Sequence, residues 1–298
     1  MKNYFYKIMF ACFLSSISYS QQVNNTEFKT KTLQVFQNLD KNRIPHGILL
    51  DFGMEFTNLK AFNGTLTDST FTTSQTMSDI YKTLLMCRVR SNVTTGFITP
   101  EEYATRWYTQ RTSGVLILSG QYFKYNRFAD NAYPSKLNYS NNQFSDKFIG
   151  STWQNPYDTK LTFAIAPSVR TYKGYSFSIK MPNNLWLTNV TQTVQSIQID
   201  ANDGLGYRTT TFRQNLSVAY TTSGLKHWYY KVTLSNGQIL YSHSKILIEE
   251  GLVTTPHISG GSNLRTSHAV ATNPTEPEYG RQDITATLAY NGGLDMLT

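Results

Sequence analysis

The sequence predicts an α+β N-terminal domain over residues 27–157, followed by an antiparallel β-sandwich over residues 158–250. Three observations lead there. Before residue 157, stretches with apolar residues at helical spacing are mixed with short apolar runs; after it, alternating apolar and polar segments succeed one another without a helical period. Polar turn residues separate those later segments, among them Ser235-Asn236-Gly237. A length of 298 residues fits two such units.

The opening MKNYFYKIMFACFLSSISYSQQ has a basic start (Lys2, Lys7), a short apolar stretch from Ile8 to Ile17, and small residues at Ser18 and Ser20. This is the pattern of a secretory signal over residues 1–20, cut after Ser20. Its apolar stretch is too short to span a bilayer, which takes about 20 residues. The expected location is secreted or cell-surface, with no integral membrane segment after cleavage. The signal carries Cys12, two lysines and no acid. The mature chain therefore keeps Cys87 alone, and its formal charge falls from +8 to +6. A lone cysteine among apolar residues (YKTLLMCRV) reads as a buried thiol. No dense Lys/Arg block accompanies the charge, so nucleic acid is not an expected partner.

Each element can be justified in turn. Residues 21–29 read as a loose start, and TLQVFQNLD as a short helix, Thr32–Leu39, which Pro45 stops from continuing. Ile48–Leu50 reads as a buried strand. In SQTMSDIYKTLLMCRVRS, Met77, Ile80, Tyr81, Leu84, Leu85 and Arg88 share one helical stripe, and Arg88 and Arg90 suit its C-terminal turn. Thr99-Pro100-Glu101-Glu102 opens another helix, with Thr99 as cap, Pro100 at the first position and Glu102 completing a capping box. Val115–Tyr125 reads as a strand, and an aromatic, Asn-rich loop region runs to about residue 157. Beyond it, Phe177, Ile179 and Met181 alternate on one face, as do Ile197 and Ile199, Leu216 and Val218, and Trp228, Tyr230, Val232 and Leu234. QILYSHSKILI is the last strand, and Asn236-Gly237 before it predicts a tight type I′ hairpin. Residues 251–282, rich in Pro, Thr and Glu, read as a linker. Residues 283–298 read as the start of a β region, so the chain is expected to continue into a downstream domain.

SIQIDANDGLGYRTTTF sets Asp200, Asn202 and Asp203 against Gly204 and Gly206. A calcium loop would need a longer acid spacing, a later Glu and helical flanks. The stretch instead reads as a turn, in which Asp and Asn hydrogen-bond their own backbone; no metal and no cofactor is assigned. IDANDGLGY resembles the D-x-x-D-G strand and turn of PKD-type immunoglobulin-like domains. VAYTTSGLKHWYYKVTLSNG resembles their later part at Tyr220, Gly224, Tyr230, Val232 and Leu234. Ala201 stands where an aromatic is common, and Asn202 where a glycine is. The resemblance implies a PKD/Ig-like sandwich that acts in spacing, adhesion or binding and carries no catalytic residue. LDKNRIPHGILLDFGMEFTN is in turn similar to the N-terminal part of large bacterial proteins exported by the type IX route. In these an ITAT-x-x-Y strand, matched by Ile284-Thr285-Ala286-Thr287 and Tyr290, precedes a hydrolase-like domain.

Candidate chemistry is sparse. His257-Ile258-Ser259-Gly260-Gly261 lacks the first Gly and the preceding strand of a nucleophile elbow. Asp51 and Glu55 could pair for acid/base work but, four residues apart across a Gly, need not converge. Aromatics are 14% of the chain, and Trp153, Trp186, Trp228 and Tyr229 are the candidate binding residues, since one of Trp228 and Tyr229 must face outward on an alternating strand. The expected function is that of an exported, non-catalytic N-terminal region of a larger protein. The alternatives are a carbohydrate- or surface-binding accessory protein, with a polysaccharide or cell-surface ligand as partner, and part of a secreted hydrolase with its catalytic domain beyond residue 298.

Overall fold

The computed structural model describes residues 25–251. The expected signal (1–20), nearly all of the expected linker, the 257–261 stretch and the 283–298 β region lie outside the described residues. The described chain is mostly β-strand, arranged in several sheets, with few helices. Its helices are α1 (Asn25–Val35), α2 (Ser74–Met86), α3 (Pro100–Gln110) and the one-turn α4 (Ala132–Ser135). The strands, in chain order, begin with β1 (Val115–Phe128), β2 (Leu137–Ser140), β3 (Gln143–Asp146), β4 (Phe148–Ile149), β5 (Thr152–Trp153), β6 (Tyr157–Pro167) and β7 (Thr171–Lys173). They continue with β8 (Ser176–Lys180), β9 (Trp186–Thr188), β10 (Val194–Asp200), β11 (Arg208–Thr210), β12 (Leu216–Ala219), β13 (Gly224–Leu234) and β14 (Ile239–Glu249).

Two five-stranded sheets dominate. The first runs β12-β8-β1-β6, with β9 also beside β1; the second runs β11-β10-β13-β14-β7. Their facing sides share one core, in which Leu118, Tyr122, Phe163 and Ile165 meet Trp228, Tyr230, Val232 and Ile246. Pairing is mixed: β8 and β9 run parallel to β1, and β7 parallel to β14. The other face of β1 and β6 is covered too. Ile117, Phe123, Tyr125, Ala164 and Ala166 join Ile80, Tyr81, Leu84 and Trp107 of the helices in a second core. The continuous apolar run VLILSGQYF, longer than an alternating strand shows, is what burial on both faces requires. The expected division at 157/158 therefore falls at the first residue of β6, whose whole length pairs with β1, a strand on the other side of that division.

The ends of α2 and α3 follow their caps. Thr73 Oγ1 accepts from Thr76 N and Thr99 Oγ1 from Glu102 N, both at 3.1 Å. Glu102 departs from the full capping box, because its carboxylate meets the Arg106 guanidinium at 2.5 Å. The α2 stripe is buried as its period dictates, but the helix ends at Met86. Arg88 then leaves the stripe: its Nη1 donates to Val93 O at 2.9 Å, and the group lies 5.2 Å from the Phe97 ring. α1 starts earlier than Thr32 and stops at Val35. Ile48 and Leu49 form only isolated bridges, to Arg88 and Asn126, because the backbone turns at Leu50–Phe52. The stretch expected as loop to residue 157 holds two small hairpins, β2-β3 and β4-β5. At the β13-β14 turn only Gly237 has positive φ (81°). A type I′ turn needs two such residues, so the loop is the three-residue form with a left-handed glycine, closed by Gly237 N to Leu234 O and Leu234 N to Gln238 O at 2.9 Å.

Trp228 is fully buried between the sheets, and its indole N–H donates to Tyr220 Oη at 2.7 Å. Tyr220 Oη in turn donates to Ala201 O at 2.5 Å. Trp228→Ala should lower unfolding free energy by about 3–5 kcal/mol, the cost of emptying a large aromatic site. Tyr220→Phe should cost about 1–3 kcal/mol by leaving the indole N–H without a partner. Urea unfolding of both variants checks this; a loss below about 1 kcal/mol for Trp228→Ala would contradict the core assignment.

Candidate functional site

The outward residues of β13 and β14 form the most organised surface of the described chain. Strand alternation sends Trp228, Tyr230 and Val232 inward, and so sends His227, Tyr229 and Lys231 outward. The antiparallel register sets these against Lys245, His243 and Tyr241 respectively. Directly opposed residues on one face are the interacting unit of a sheet. The Tyr229 and His243 rings lie 5.9 Å apart, and the Phe71 ring stacks on His243 at 4.1 Å while meeting His227 edge-on at 5.2 Å. Lys245 Nζ sits 3.5 Å from the centre of the Phe71 ring, a cation–π contact. On the β10 side, Asp200 faces Tyr229 across the ladder, and Tyr207, 43% exposed, lies within electrostatic reach of Asp200, Tyr241 and Tyr229. Tyr229, His243 and Phe71 thus form a row of rings across the strands, flanked by Lys231, His227 and Lys245, with the exposed Tyr207 nearby.

Phe71 reaches this face because Thr72 fixes its backbone. Thr72 N and Oγ1 each bond His243 O at 2.8 Å, and the same hydroxyl reaches Ile165 O in the other sheet. Thr73 then caps α2. His243 Nε2 is 3.3 Å from Thr70 Oγ1, and the ring is only 3% exposed. Burial holds its pKa below the ordinary value near 6.5; the Thr70 contact opposes this, Lys245 and His227 add to it, and Asp68 opposes it. What the face offers is broad aromatic area with hydrogen-bonding groups at its margin, a combination suited to recognition.

The other candidate residues lie elsewhere. Trp228 belongs to the core and exposes no ring, so Tyr229 is the member of that pair at the surface. Trp186 packs on Gly120, where an added Cβ would lie 2.7 Å from the indole, and between Phe163 and Phe212 at 6.0 Å each. Trp153 donates to Asp146 Oδ1 at 2.7 Å and lies 5.2 Å from the Arg43 guanidinium, in a third cluster near α1. These three do not share a surface with Tyr229. Asp51 accepts the Phe128 N–H at 2.8 Å at the end of β1, and Glu55 is exposed. Cys87 is buried, which pushes its thiol pKa up. In the 200–206 stretch Asp200 Oδ1 accepts from Asn202 N at 2.8 Å, Asp203 pairs with Arg208 at 2.5 Å, and Asn202, Gly204 and Gly206 take positive φ. Among the described residues no three His, Cys, Asp or Glu side chains stand close enough to hold a metal ion. No described helix is long and apolar enough to cross a membrane. Comparison with protein-family models and with curated proteins gave no match.

The sign of the His243 shift sets a pH dependence. Its folded pKa lies below the unfolded value, so the unfolded chain takes up the proton first, and the neutral ring's contribution is complete above about pH 6.5. It is lost as pH falls from there through the folded pKa. His46, lowered by burial and by Lys124, acts in the same direction. The urea midpoint should therefore fall between pH 7.5 and pH 5, and by less in His243→Gln. An equal fall in the variant would show that His243 is not a source of it.

Proposed function

We propose that this chain is an exported, non-catalytic recognition and spacing module. In this reading the two large sheets are an immunoglobulin-like sandwich of PKD type, and the helices before it buttress the first sheet. Tyr207 and Tyr229 on the outer face of the second sheet meet a cell-surface polysaccharide. The fold part of the proposal is supported by the core shared between the two sheets, by the Asp200–Gly204 turn, and by Tyr220, which ties that turn to Trp228. The three parallel pairings depart from a purely antiparallel sandwich. The observation that carries the functional part is the pair of tyrosines on that face, Tyr207 exposed and Tyr229 half-buried, where water would ordinarily meet polar side chains. They are backed by His243 and Phe71, whose own ring faces are taken up by packing and by Lys245. Sugar rings stack on flat aromatic faces, and Lys231, His227 and Asp200 stand where hydroxyl groups would fall.

Affinity electrophoresis of the full chain through gels containing neutral or acidic polysaccharides tests this. At least one should retard the protein, and Tyr207→Ala/Tyr229→Ala should weaken retardation about tenfold or more, with circular dichroism unchanged. Equal retardation of the folded variant would remove this face from the reading. The export part has its own test: N-terminal sequencing of the protein recovered from its source should start at Gln21. A chain that starts at Met1 would sink it.

A further inference from the structure

The first sheet ends at β6, and part of that edge is open. Two positions along it are already satisfied: Phe163 N donates to Phe62 O at 2.7 Å, and Ile165 N to Ser242 Oγ at 3.2 Å. On the neighbouring strand, Lys124 N goes to Asn189 Oδ1 at 2.9 Å and Asn126 N to Ile48 O at 2.8 Å, both away from β6. The antiparallel register sets Lys124 opposite Leu161 and Asn126 opposite Thr159. These are therefore non-hydrogen-bonded pairs, and the N–H and C=O groups of Leu161 and Thr159 point out of the sheet. Both residues line an open cavity of about 670 Å³, a volume within the usual range for ligand sites. Three lysines surround it: Lys60 from the turn at Leu59–Ala61, Lys124 from β1 and Lys160 from β6. Lys160 is 3.2 Å from Asp158, whereas among the described residues Lys60 and Lys124 have no carboxylate within ion-pair distance.

We propose that this cavity is a strand-addition site for an extended peptide segment rich in Asp or Glu. The backbone decides between ligand classes. A simple oxyanion would meet the Thr159 and Leu161 carbonyls as well as their N–H groups, and the carbonyls repel it. A ligand with its own alternating donors and acceptors satisfies both, which is the pairing of an extended peptide with a sheet edge. The lysines decide between peptides. Lysine on an edge strand ordinarily deters a neutral strand, because pairing would bury its ammonium beside the new backbone. Lys160 is the one of the three on the edge strand; an acidic strand can ion-pair with it and with Lys60 and Lys124 beside the edge, so that charge selects the partner. Gln238, from the β13-β14 turn, and Asn63 add polar groups at the rim.

The test uses the full chain and a fluorescein-labelled peptide of alternating Glu and Val, read by anisotropy at low salt, with backbone-amide exchange of Thr159 and Leu161 followed by NMR. The acidic peptide should bind and slow exchange at both amides. Replacing its Glu by Gln, N-methylating its backbone, or using Lys60→Gln/Lys124→Gln protein should each weaken binding about tenfold or more. Failure of the acidic peptide to bind overturns the proposal. So does equal binding of the Gln peptide, which would remove the charge selection. If the N-methylated peptide binds equally and inorganic sulfate displaces it, the cavity is a plain anion site and strand addition is wrong. These surface glutamine substitutions lie outside both cores; thermal unfolding of the double variant establishes that it is folded before binding is compared.

Discussion

Between Leu118 and Phe128, every residue of β1 is matched by one of β6, from Pro167 back to Tyr157, and both faces of this ribbon are buried along most of its length. One face gives Leu118, Tyr122, Phe163 and Ile165 to the core between the sheets; the other gives Ile117, Phe123, Tyr125 and two alanines to the helices. A slip of β6 by one residue would exchange that strand's two sets. It would drive Phe163 toward α2, where Ala164 and Ala166 now allow a helix to lie close, and would leave alanines facing Trp228. Polar groups on the helix side fix the same register. Gln121 Nε2 donates to Met77 O at 2.9 Å, and Ser119 Oγ meets Tyr103 Oη at 2.7 Å. A buried amide is costly without its partner, so each of these bonds opposes any other alignment.

The surface that faces outward from the second sheet depends on that ribbon through Thr72. Its hydroxyl has one proton and lies against the carbonyls of Ile165, in β6, and of His243, in β14. It therefore links β6 of one sheet to β14 of the other at the point where α2 begins. With Thr72 fixed, Phe71 points onto His243 and His227, and Lys245 closes over the ring. The ring row is thus an extension of the packing inside, set by the spacing of β6 and β14.

Much of the second half of the fold could be read from alternation alone, because each of its strands has one face in the core. Phe177, Ile179, Ile197, Ile199, Trp228, Tyr230 and Val232 are all buried as period two dictates. The helix start at Thr99 followed from short-range chemistry. What escaped needed distant partners. VLILSGQYF has no alternation to read, since both its faces are covered, and so its membership of the large sheet was hidden. Ile48–Leu50 looks like a strand by composition but finds only single bridges. Of the surface residues, Tyr229 was legible as the outward neighbour of a buried tryptophan. Trp153 and Trp186 were not separable from it by residue type, because whether an indole is free, packed on Gly120 or held by Asp146 is decided by the fold and not by the residue. Lys60, Lys124 and Lys160 are isolated in the sequence and meet only through the β1-β6 register and the turn at Leu59–Ala61.

The outward face of an antiparallel sheet ordinarily costs nothing to leave wet when it carries Thr, Ser, Lys and Glu. Here the outward positions across β13 and β14 instead pair Leu225 with Leu247, Tyr229 with His243 and Lys231 with Tyr241, and the two leucines are 54% and 37% exposed. Folding does not require these apolar choices, since the core on the opposite face is complete without them. Nor does Phe71 bury the whole face; it covers His243 and leaves Tyr207 exposed and Tyr229 half-buried. A face that carries apolar and aromatic side chains not needed for the core, among lysine and histidine, has the properties of a contact surface.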